Sequence, residues 1–265
     1  MSLLESIILG IIQGLTEFLP VSSSGHLEIG KVLLNVQTSN NLLFSVVVHA
    51  ATALSTILVF RRDISFIITD ILKFEWNEST QFAFKILLSM LPIFIIGMLF
   101  EEQIEAFFTG NLMLVGSMLL FTALLLGFTY FVRNKQGTSV GYFQAIIIGI
   151  AQAVAILPGI SRSGSTIATA LLLGVDKEKA ARFSFLMVLI PILGASFLKF
   201  LDYLEQPAQT ESIGSLVLFV GFLMAFIAGL VACRIMIKLV KNGKLIYFAI
   251  YCGIVGIISI LSQFI

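Results

Sequence analysis

Six apolar stretches in this sequence are each long enough to cross a lipid bilayer, which takes about 17 to 25 residues in a helix. They cover residues 42–60, 82–99, 111–132, 183–201, 213–233 and 245–264. The 265 residues are 58% hydrophobic and only 12% charged, whereas a soluble domain is about half apolar and a quarter charged. The sequence therefore predicts an all-α integral membrane protein, with six full transmembrane helices in a single membrane domain over residues 1–265. Its partners are then membrane lipids, and the net charge of +1 argues against a nucleic-acid binder.

Four other apolar pieces are too short to span a bilayer. They cover residues 3–19, 26–36, 143–157 and 165–175. The first and third pieces each end at a proline, Pro20 and Pro158, and a Ser/Gly cluster separates each from the short piece that follows. A helix of 11 residues is only about 16 Å long. We therefore expect two re-entrant helix pairs, each broken at its proline and its Ser/Gly cluster.

The two halves of the chain resemble each other when one is shifted by 139 residues. The shift aligns Gly10 with Gly149, Gln13 with Gln152, Ser22 with Ser161, Ser24 with Ser163 and Gly25 with Gly164. Repeat one covers about residues 1–135 and repeat two about residues 140–265. A re-entrant pair returns to its own side and three spans then cross to the other, so we expect an inverted-topology repeat.

The distribution of charged residues tests this topology independently. Thirteen basic residues fall on the predicted inner side and two on the predicted outer side, as the positive-inside rule requires. The inner set is Arg61, Arg62, Lys73, Lys85, Arg133, Lys135, Lys177, Lys179, Arg182, Arg234, Lys238, Lys241 and Lys244, and the outer set is Lys31 and Lys199. Six acidic residues also fall outside, namely Glu101, Glu102, Glu105, Asp202, Glu205 and Glu211. The prediction places both termini outside and lets the two breaks meet near the midplane.

Two charged residues lie at the breaks, Glu17 in the first and Arg162 in the second. A charge at membrane depth costs about 2.5 to 3.5 kcal/mol on insertion scales, so it faces a cavity or a partner. One interpretation is a buried ion pair that only closes the interface between the repeats. The surrounding serines and glycines favour a functional site, because they start new helices whose N–H groups can bind an anion. Two such helix starts and one arginine fork suit a diphosphate.

Spacing in the first break suggests catalytic chemistry. Gln13 and Glu17 are four residues apart and therefore share a helix face. Ser23 and His26 are three apart, so a helix that starts near Ser22 aligns them as a nucleophile and its base. His26 can also be an ordinary helix residue, and His49 can be a buried polar contact within a span.

These motifs resemble those of the undecaprenyl-diphosphatase family, also called the bacitracin-resistance (BacA, UppP) family. The similar segments are Gln13-x-x-x-Glu17, the serine-rich motif that ends at His26, and Pro158-Gly-Ile-Ser-Arg-Ser-Gly-Ser-Thr166. The resemblance implies hydrolysis of undecaprenyl diphosphate to the monophosphate carrier lipid, at the outer face of the bacterial plasma membrane. It also implies a divalent cation, Mg²⁺ or Ca²⁺. Ser24 stands where threonine is common in the family, and Ser45 stands where an acidic residue is frequent, so a catalytic role at position 45 is in doubt.

The resulting hypothesis assigns a role to each residue of the two breaks. We expect Glu17, Ser23, His26 and Arg162 to be catalytic, and Glu17 to bind the cation with the substrate phosphates. The expected substrate-binding residues are Gln13, Ser22, Ser24, Gly25, Ser161, Ser163, Gly164 and Thr166. Either Ser23 is the nucleophile with His26 as its proton-transfer partner, or His26 activates water directly. The metal, the preferred chain length and the oligomeric state stay open.

A secondary transporter or a flippase for a polyprenyl phosphate lipid is the alternative function. Inverted repeats with helices broken at the midplane are typical of transporters. The dense set of hydroxyl, arginine, histidine and glutamate side chains exceeds what ion coupling needs, and this favours the enzyme. Whether such an enzyme also flips its lipid product is left open.

Overall fold

The computed structural model describes residues 1–36, 42–107, 110–131, 137–205 and 213–264. In these ranges the chain is mostly helical, and its one β-type contact there is an isolated bridge between Thr138 and Val175. The helices are α1 (Leu3–Phe18), α2 (Ser23–Leu33), α3 (Leu42–Val59), α4 (Arg61–Ile71), α5 (Glu78–Leu99), α6 (Glu101–Glu105), α7 (Leu112–Phe128), α8 (Tyr142–Val154), α9 (Arg162–Leu172), α10 (Lys177–Met187), α11 (Leu189–Glu205), α12 (Ser215–Lys241) and α13 (Ile246–Leu261). The predicted all-α class is confirmed.

Four helical segments of the described chain are long and apolar enough to cross a membrane. They are Glu78–Leu99, Leu112–Phe131, Lys177–Leu198 and Ser215–Lys241. A fifth is added if α3 and α4, which meet at an angle of 76°, count as one span. The apolar helix α13 is shorter. A multi-pass membrane protein follows, while the count of six full spans stays a prediction.

Two short helix pairs, α1–α2 and α8–α9, carry the predicted breaks. The second helices begin at Ser23 and Arg162, three residues earlier than the apolar pieces 26–36 and 165–175 predicted. The difference arises because the first turn of each helix is polar and a search for apolar residues misses it. Both turns are stabilised by serine N-caps, Ser22 and Ser161, whose hydroxyls accept hydrogen bonds from backbone N–H groups.

Each broken pair is packed against a long helix of the other half through glycines. Helix α1 packs on α12, and α8 packs on α5. A Cβ atom added to Gly10 would lie 2.6 Å from the carbonyl oxygen of Gly221, and one added to Gly149 would collide with the carbonyl oxygen of Ser89. Small residues let membrane helices approach this closely, and the close approach supplies the packing energy that lipid cannot.

Helices α7 and α13 form a further close pair next to the two breaks. An added Cβ at Gly116 would lie 2.7 Å from the carbonyl oxygen of Gly256. Val115 on α7 and Cys252 on α13 are buried together with Val21 of the first break. This pair therefore fixes the position of the first break within the bundle.

We predict that Gly10→Ala destabilises the protein by about 1–3 kcal/mol, because the added methyl group overpacks the contact between α1 and α12. Thermal unfolding of the purified protein in detergent measures the effect. The matched control is Gly97→Ala on α5, where a Cβ would meet no atom within 4 Å. Equal unfolding temperatures for the two variants would contradict the proposed packing.

Candidate active site

Hydrogen bonds join the two breaks directly. The backbone N–H of Gly159 donates to the hydroxyl oxygen of Ser22 over 3.2 Å, and the hydroxyl of Ser163 donates to the carbonyl oxygen of Leu19 over 3.3 Å. The same Ser22 oxygen accepts from the N–H of Gly25 over 3.2 Å. The Ser22 side chain thus caps α2 and also accepts a hydrogen bond from the buried N–H of Gly159 in the other helix pair, α8–α9. We call each of these two broken helix pairs a hairpin. The two breaks form one structural unit.

Thr122 of α7 forms hydrogen bonds with the backbone of the second break. Its Oγ1 atom accepts a hydrogen bond from the N–H of Ser161 over 3.0 Å and donates to the carbonyl oxygen of Gly159 over 3.1 Å. Thr122 is fully buried. Sequence reasoning missed this residue, because a lone threonine within an apolar span gives no signal of its role.

The backbone of both breaks adopts the left-handed region. Ser22 has a φ of 70° and Gly159 a φ of 99°. A Cβ at Gly159 would also lie 2.5 Å from the carbonyl oxygen of Val115. Glycine is therefore required at position 159, while Ser22 adopts a conformation that side chains rarely take. The three hydrogen bonds of Ser22 to Gly25, Gly159 and Ser24 compensate for it.

Glu17 is the polar centre of the site. Its Oε2 atom accepts hydrogen bonds from Gln13 Nε2 over 3.0 Å and from the Ser23 hydroxyl over 2.6 Å. Its Oε1 atom lies 3.9 Å from Nη2 of Arg162, which belongs to the other hairpin. The structure thus brings Gln13, Glu17, Ser23 and Arg162 together.

His26 is not hydrogen-bonded to Ser23 in the described chain. Its Nδ1 atom lies 2.9 Å from the carbonyl oxygen of Ser22, and its Nε2 atom lies 2.8 Å from the hydroxyl of Tyr251 on α13. Ser23 instead reaches back to Glu17 on α1. The helical spacing put both residues in the first turn of α2, but it did not reveal that each would find a closer partner. Tyr251 was missed because it lies far away in the sequence.

The remaining predicted binding residues surround this centre at different depths. Buried ones are Ser22, Gly25, Ser161, Gly164 and Thr166, and partly buried ones are Ser24 and Ser163. The Ser161 hydroxyl accepts from the N–H of Gly164 over 3.0 Å, and Thr166 shares a short hydrogen bond with Ser184. Thr166 also lines a narrow crevice together with Glu17, Arg162 and Ser163. These residues build the walls of the site, and their contact with a substrate stays a prediction.

Ser45 and His49 pair with each other one turn apart on α3. The Nδ1 atom of His49 lies 2.8 Å from the carbonyl oxygen of Ser45 and 3.5 Å from its hydroxyl. Ser45 therefore contributes a hydroxyl, and not a carboxylate, beside the one other histidine of the chain.

Comparison with known proteins shows the family of this chain. The family model described as bacitracin resistance protein BacA matches residues 6–258. The chain belongs to the BacA family. Relatives named undecaprenyl-diphosphatase include one from Christiangramia forsetii, 55% identical over 100% of this chain and 99% of its own length. Another from Bacteroides fragilis is 52% identical over 97% of this chain and 96% of its own length. A third, from Halothermothrix orenii, is 39% identical over 98% of both chains. The resemblance stated from the motifs is confirmed.

The BacA resemblance implies a divalent cation, and the residues present can be tested against it. Oxygen atoms are the ligands that Mg²⁺ and Ca²⁺ prefer. Beside the Glu17 carboxylate, Oε1 of Gln13 is buried and has no hydrogen-bond partner within the described chain. The described residues contain no cluster of three or more His, Cys, Asp or Glu side chains. The Glu17 carboxylate and the amide oxygen of Gln13 are donors of the type that such a cation prefers.

We predict that Ser22→Ala lowers the stability of the protein even without substrate. The change leaves the buried N–H groups of Gly25 and Gly159 without their acceptor, and each such group costs about 1–3 kcal/mol. Thermal unfolding in detergent is the measurement, and Ser117→Ala on α7 is the control, because the Ser117 hydroxyl donates to the carbonyl oxygen of Met113 on its own helix. If both variants unfold at the temperature of the parent protein, Ser22 does not hold the breaks together.

Proposed function

We propose that this chain is an undecaprenyl-diphosphate phosphatase of the plasma membrane. It hydrolyses undecaprenyl (polyprenyl) diphosphate to the monophosphate and inorganic phosphate, which recycles the carrier lipid for cell-wall synthesis and confers resistance to bacitracin. The observation that carries the proposal is the meeting of the two hairpins, where Arg162 approaches Glu17 to 3.9 Å and Ser23 contacts the same carboxylate over 2.6 Å. An anion-binding group, a carboxylate and a hydroxyl then share one site. The names of the relatives support the substrate.

Binding of the diphosphate follows from charge and helix geometry. Arg162 is the one basic residue at the breaks, and its planar guanidinium can donate to two phosphate oxygens at once. Helices α2 and α9 both begin here, and the first N–H groups of a helix have no partner within the helix. Partial positive charge at both helix starts therefore adds to that of Arg162.

The contacts of Ser23 suggest how the chemical step proceeds. The Ser23 hydroxyl donates to Glu17, so Glu17 can accept its proton while the serine oxygen attacks the terminal phosphorus. The bond from that phosphorus to the bridging oxygen breaks, and polyprenyl monophosphate leaves with the electron pair. Water then hydrolyses the phosphoserine and releases inorganic phosphate. In the other variant, water attacks directly and His26 accepts its proton.

Gln13 and Glu17 would hold the divalent cation. When bound, it would neutralise charge on the phosphate oxygens that the cation shares with these two side chains. Gln13 has a second effect that needs no cation, because its amide N–H fixes the Glu17 carboxylate in place.

We infer that the fold is an inverted-topology repeat with six spans. The shift of 139 residues carries the start of α2 onto the start of α9. It also carries α1 onto α8 and α5 onto α12, and the observed packing pairs α1–α12 and α8–α5 exchange under it. Such an exchange is expected of two halves related by a pseudo-two-fold axis.

The ion pairs support the proposed sidedness. The Nε atom of Arg182 lies 2.7 Å from Oδ1 of Asp63, and Nζ of Lys241 lies 2.8 Å from Oε2 of Glu178. These ion pairs bring the predicted inner ends of α4, α10 and α12 together at one side. At the other side, the Ser6 hydroxyl donates to the carbonyl oxygen of Val217 over 2.6 Å. We infer that both termini lie on this side and that the site opens there, to the outer face. Arg133, Lys135 and Glu211 of the predicted charge pattern lie outside the described residues.

The purified protein in detergent should release inorganic phosphate from farnesyl diphosphate. Detergent abolishes transport across a membrane, so phosphate release cannot come from the alternative transporter or flippase. Ser23→Ala should abolish the release, and a phosphoserine should be trapped at Ser23 in the parent protein. Full activity of Ser23→Ala would exclude the serine nucleophile and leave attack by water. No phosphate release from the parent protein would contradict the phosphatase itself.

Arg162→Lys should lower kcat/KM by about a hundredfold or more, because a point charge does not replace a fork that binds two oxygens of the transferred group. The same phosphate assay measures it. Arg62→Lys, an exposed residue on α4, is the control and should retain the parent activity. A near-parental rate for Arg162→Lys would rule out the arginine as the phosphate clamp.

A further inference from the structure

The hydrogen bonds of His26 determine which of its nitrogen atoms carries the proton. Nδ1 lies 2.9 Å from the backbone carbonyl oxygen of Ser22. A carbonyl oxygen can only accept a hydrogen bond, so Nδ1 must donate and carries the hydrogen. In the neutral ring, Nε2 is then the basic atom. It is the one nitrogen of His26 that can take up a proton.

Tyr251 forms a hydrogen bond with this Nε2 atom. Its hydroxyl lies 2.8 Å from Nε2, and the two rings stack with their centroids 5.6 Å apart and their planes at 12°. A phenol both donates and accepts. It can therefore donate to the neutral imidazole and accept from the imidazolium. The contact survives the gain and loss of a proton at His26.

Helix α13 holds Tyr251 rigidly beside the first break. The neighbouring Cys252 is fully buried, and its Sγ atom lies 3.6 Å from the carbonyl oxygen of Pro20. Cys252 packs with Val21 and Val115 in one apolar cluster. Tyr251 itself is 43% exposed, so it does not belong to that buried cluster. Its position is set by packing, while its hydroxyl is left for His26.

We propose that Tyr251 is a positioning residue that fixes the ring of His26 in the tautomer whose basic nitrogen is Nε2. The tyrosine acts through the histidine and takes no part in bond breaking. The kinetic consequence rests on the proposed phosphatase function, in the variant where His26 accepts a proton from water, whereas the hydrogen bond and the tautomer do not. The two can therefore be tested separately.

Kinetics of Tyr251→Phe test the functional part. Phenylalanine keeps the stacked ring and removes only the hydroxyl. We expect kcat for phosphate release from farnesyl diphosphate to fall by about tenfold to a hundredfold, the usual effect of losing an outer hydrogen-bond partner, with KM nearly unchanged. Tyr247→Phe, one turn earlier on α13 and 64% exposed, is the matched control and should keep the parent kcat. An unchanged kcat in Tyr251→Phe, or a rise in KM alone, would overturn the proposal.

Nitrogen NMR tests the contact in the parent protein, independently of any variant's folding. The chain has two histidines, so ¹⁵N-histidine labelling gives two imidazole rings, and His26→Asn identifies the signals of His26. We expect a neutral ring protonated at Nδ1, with an Nε2 resonance that shifts in Tyr251→Phe and stays in place in Tyr247→Phe. A ring protonated at Nε2, or a resonance indifferent to Tyr251→Phe, refutes the positioning role. A parent protein that shows this spectrum but releases no phosphate contradicts the phosphatase and not the contact.

Discussion

The hydrogen bond from the Gly159 N–H to the Ser22 hydroxyl joins two breaks whose buried backbone groups would otherwise lack partners. Lipid offers no partner for such groups, and irregular backbone persists within a bilayer only where protein or a watery cavity satisfies it. Here each break supplies hydrogen-bond partners to the other. The Ser22 hydroxyl accepts a hydrogen bond from the N–H of Gly159 in the second break, and the Ser163 hydroxyl donates one to the carbonyl oxygen of Leu19 in the first. Neither hairpin satisfies its own break completely, so the fold requires both together.

The same requirement brings opposite charges into one place. Glu17 and Arg162 belong to different hairpins, and their side chains come within 3.9 Å where the breaks meet. Breaking a buried pair by removing one partner costs more than the pair contributes, because the remaining charge is left uncompensated. Under the proposed function, a substrate diphosphate replaces the Glu17 carboxylate as the partner of Arg162. Arg162 would then pair with Glu17 in the free protein and with phosphate oxygens in the complex.

The local sequence pattern predicted where α2 and α9 begin, but it did not predict the long-range contacts of Ser23 and His26. The Ser/Gly clusters predicted the serine caps at positions 22 and 161. The free-energy cost of a charge at membrane depth suggested, as one interpretation, that Glu17 and Arg162 form a pair. The partner of Ser23 was not predicted, because spacing within α2 indicated His26 whereas the fold presents Glu17 from the preceding helix. Tyr251 could not be predicted either, since it lies far from His26 in the sequence and tertiary packing alone brings α13 beside the first break.

The central claim is that a diphosphate binds between the two breaks, with its terminal phosphate beside Ser23 and Arg162. An experimental structure with a methylene-bridged, non-hydrolysable analogue of farnesyl diphosphate tests it most directly. We expect both phosphorus atoms to lie between the starts of α2 and α9, with Arg162 turned from Glu17 onto phosphate oxygens. An analogue bound to one hairpin alone, or with its phosphates away from Arg162, would contradict the account.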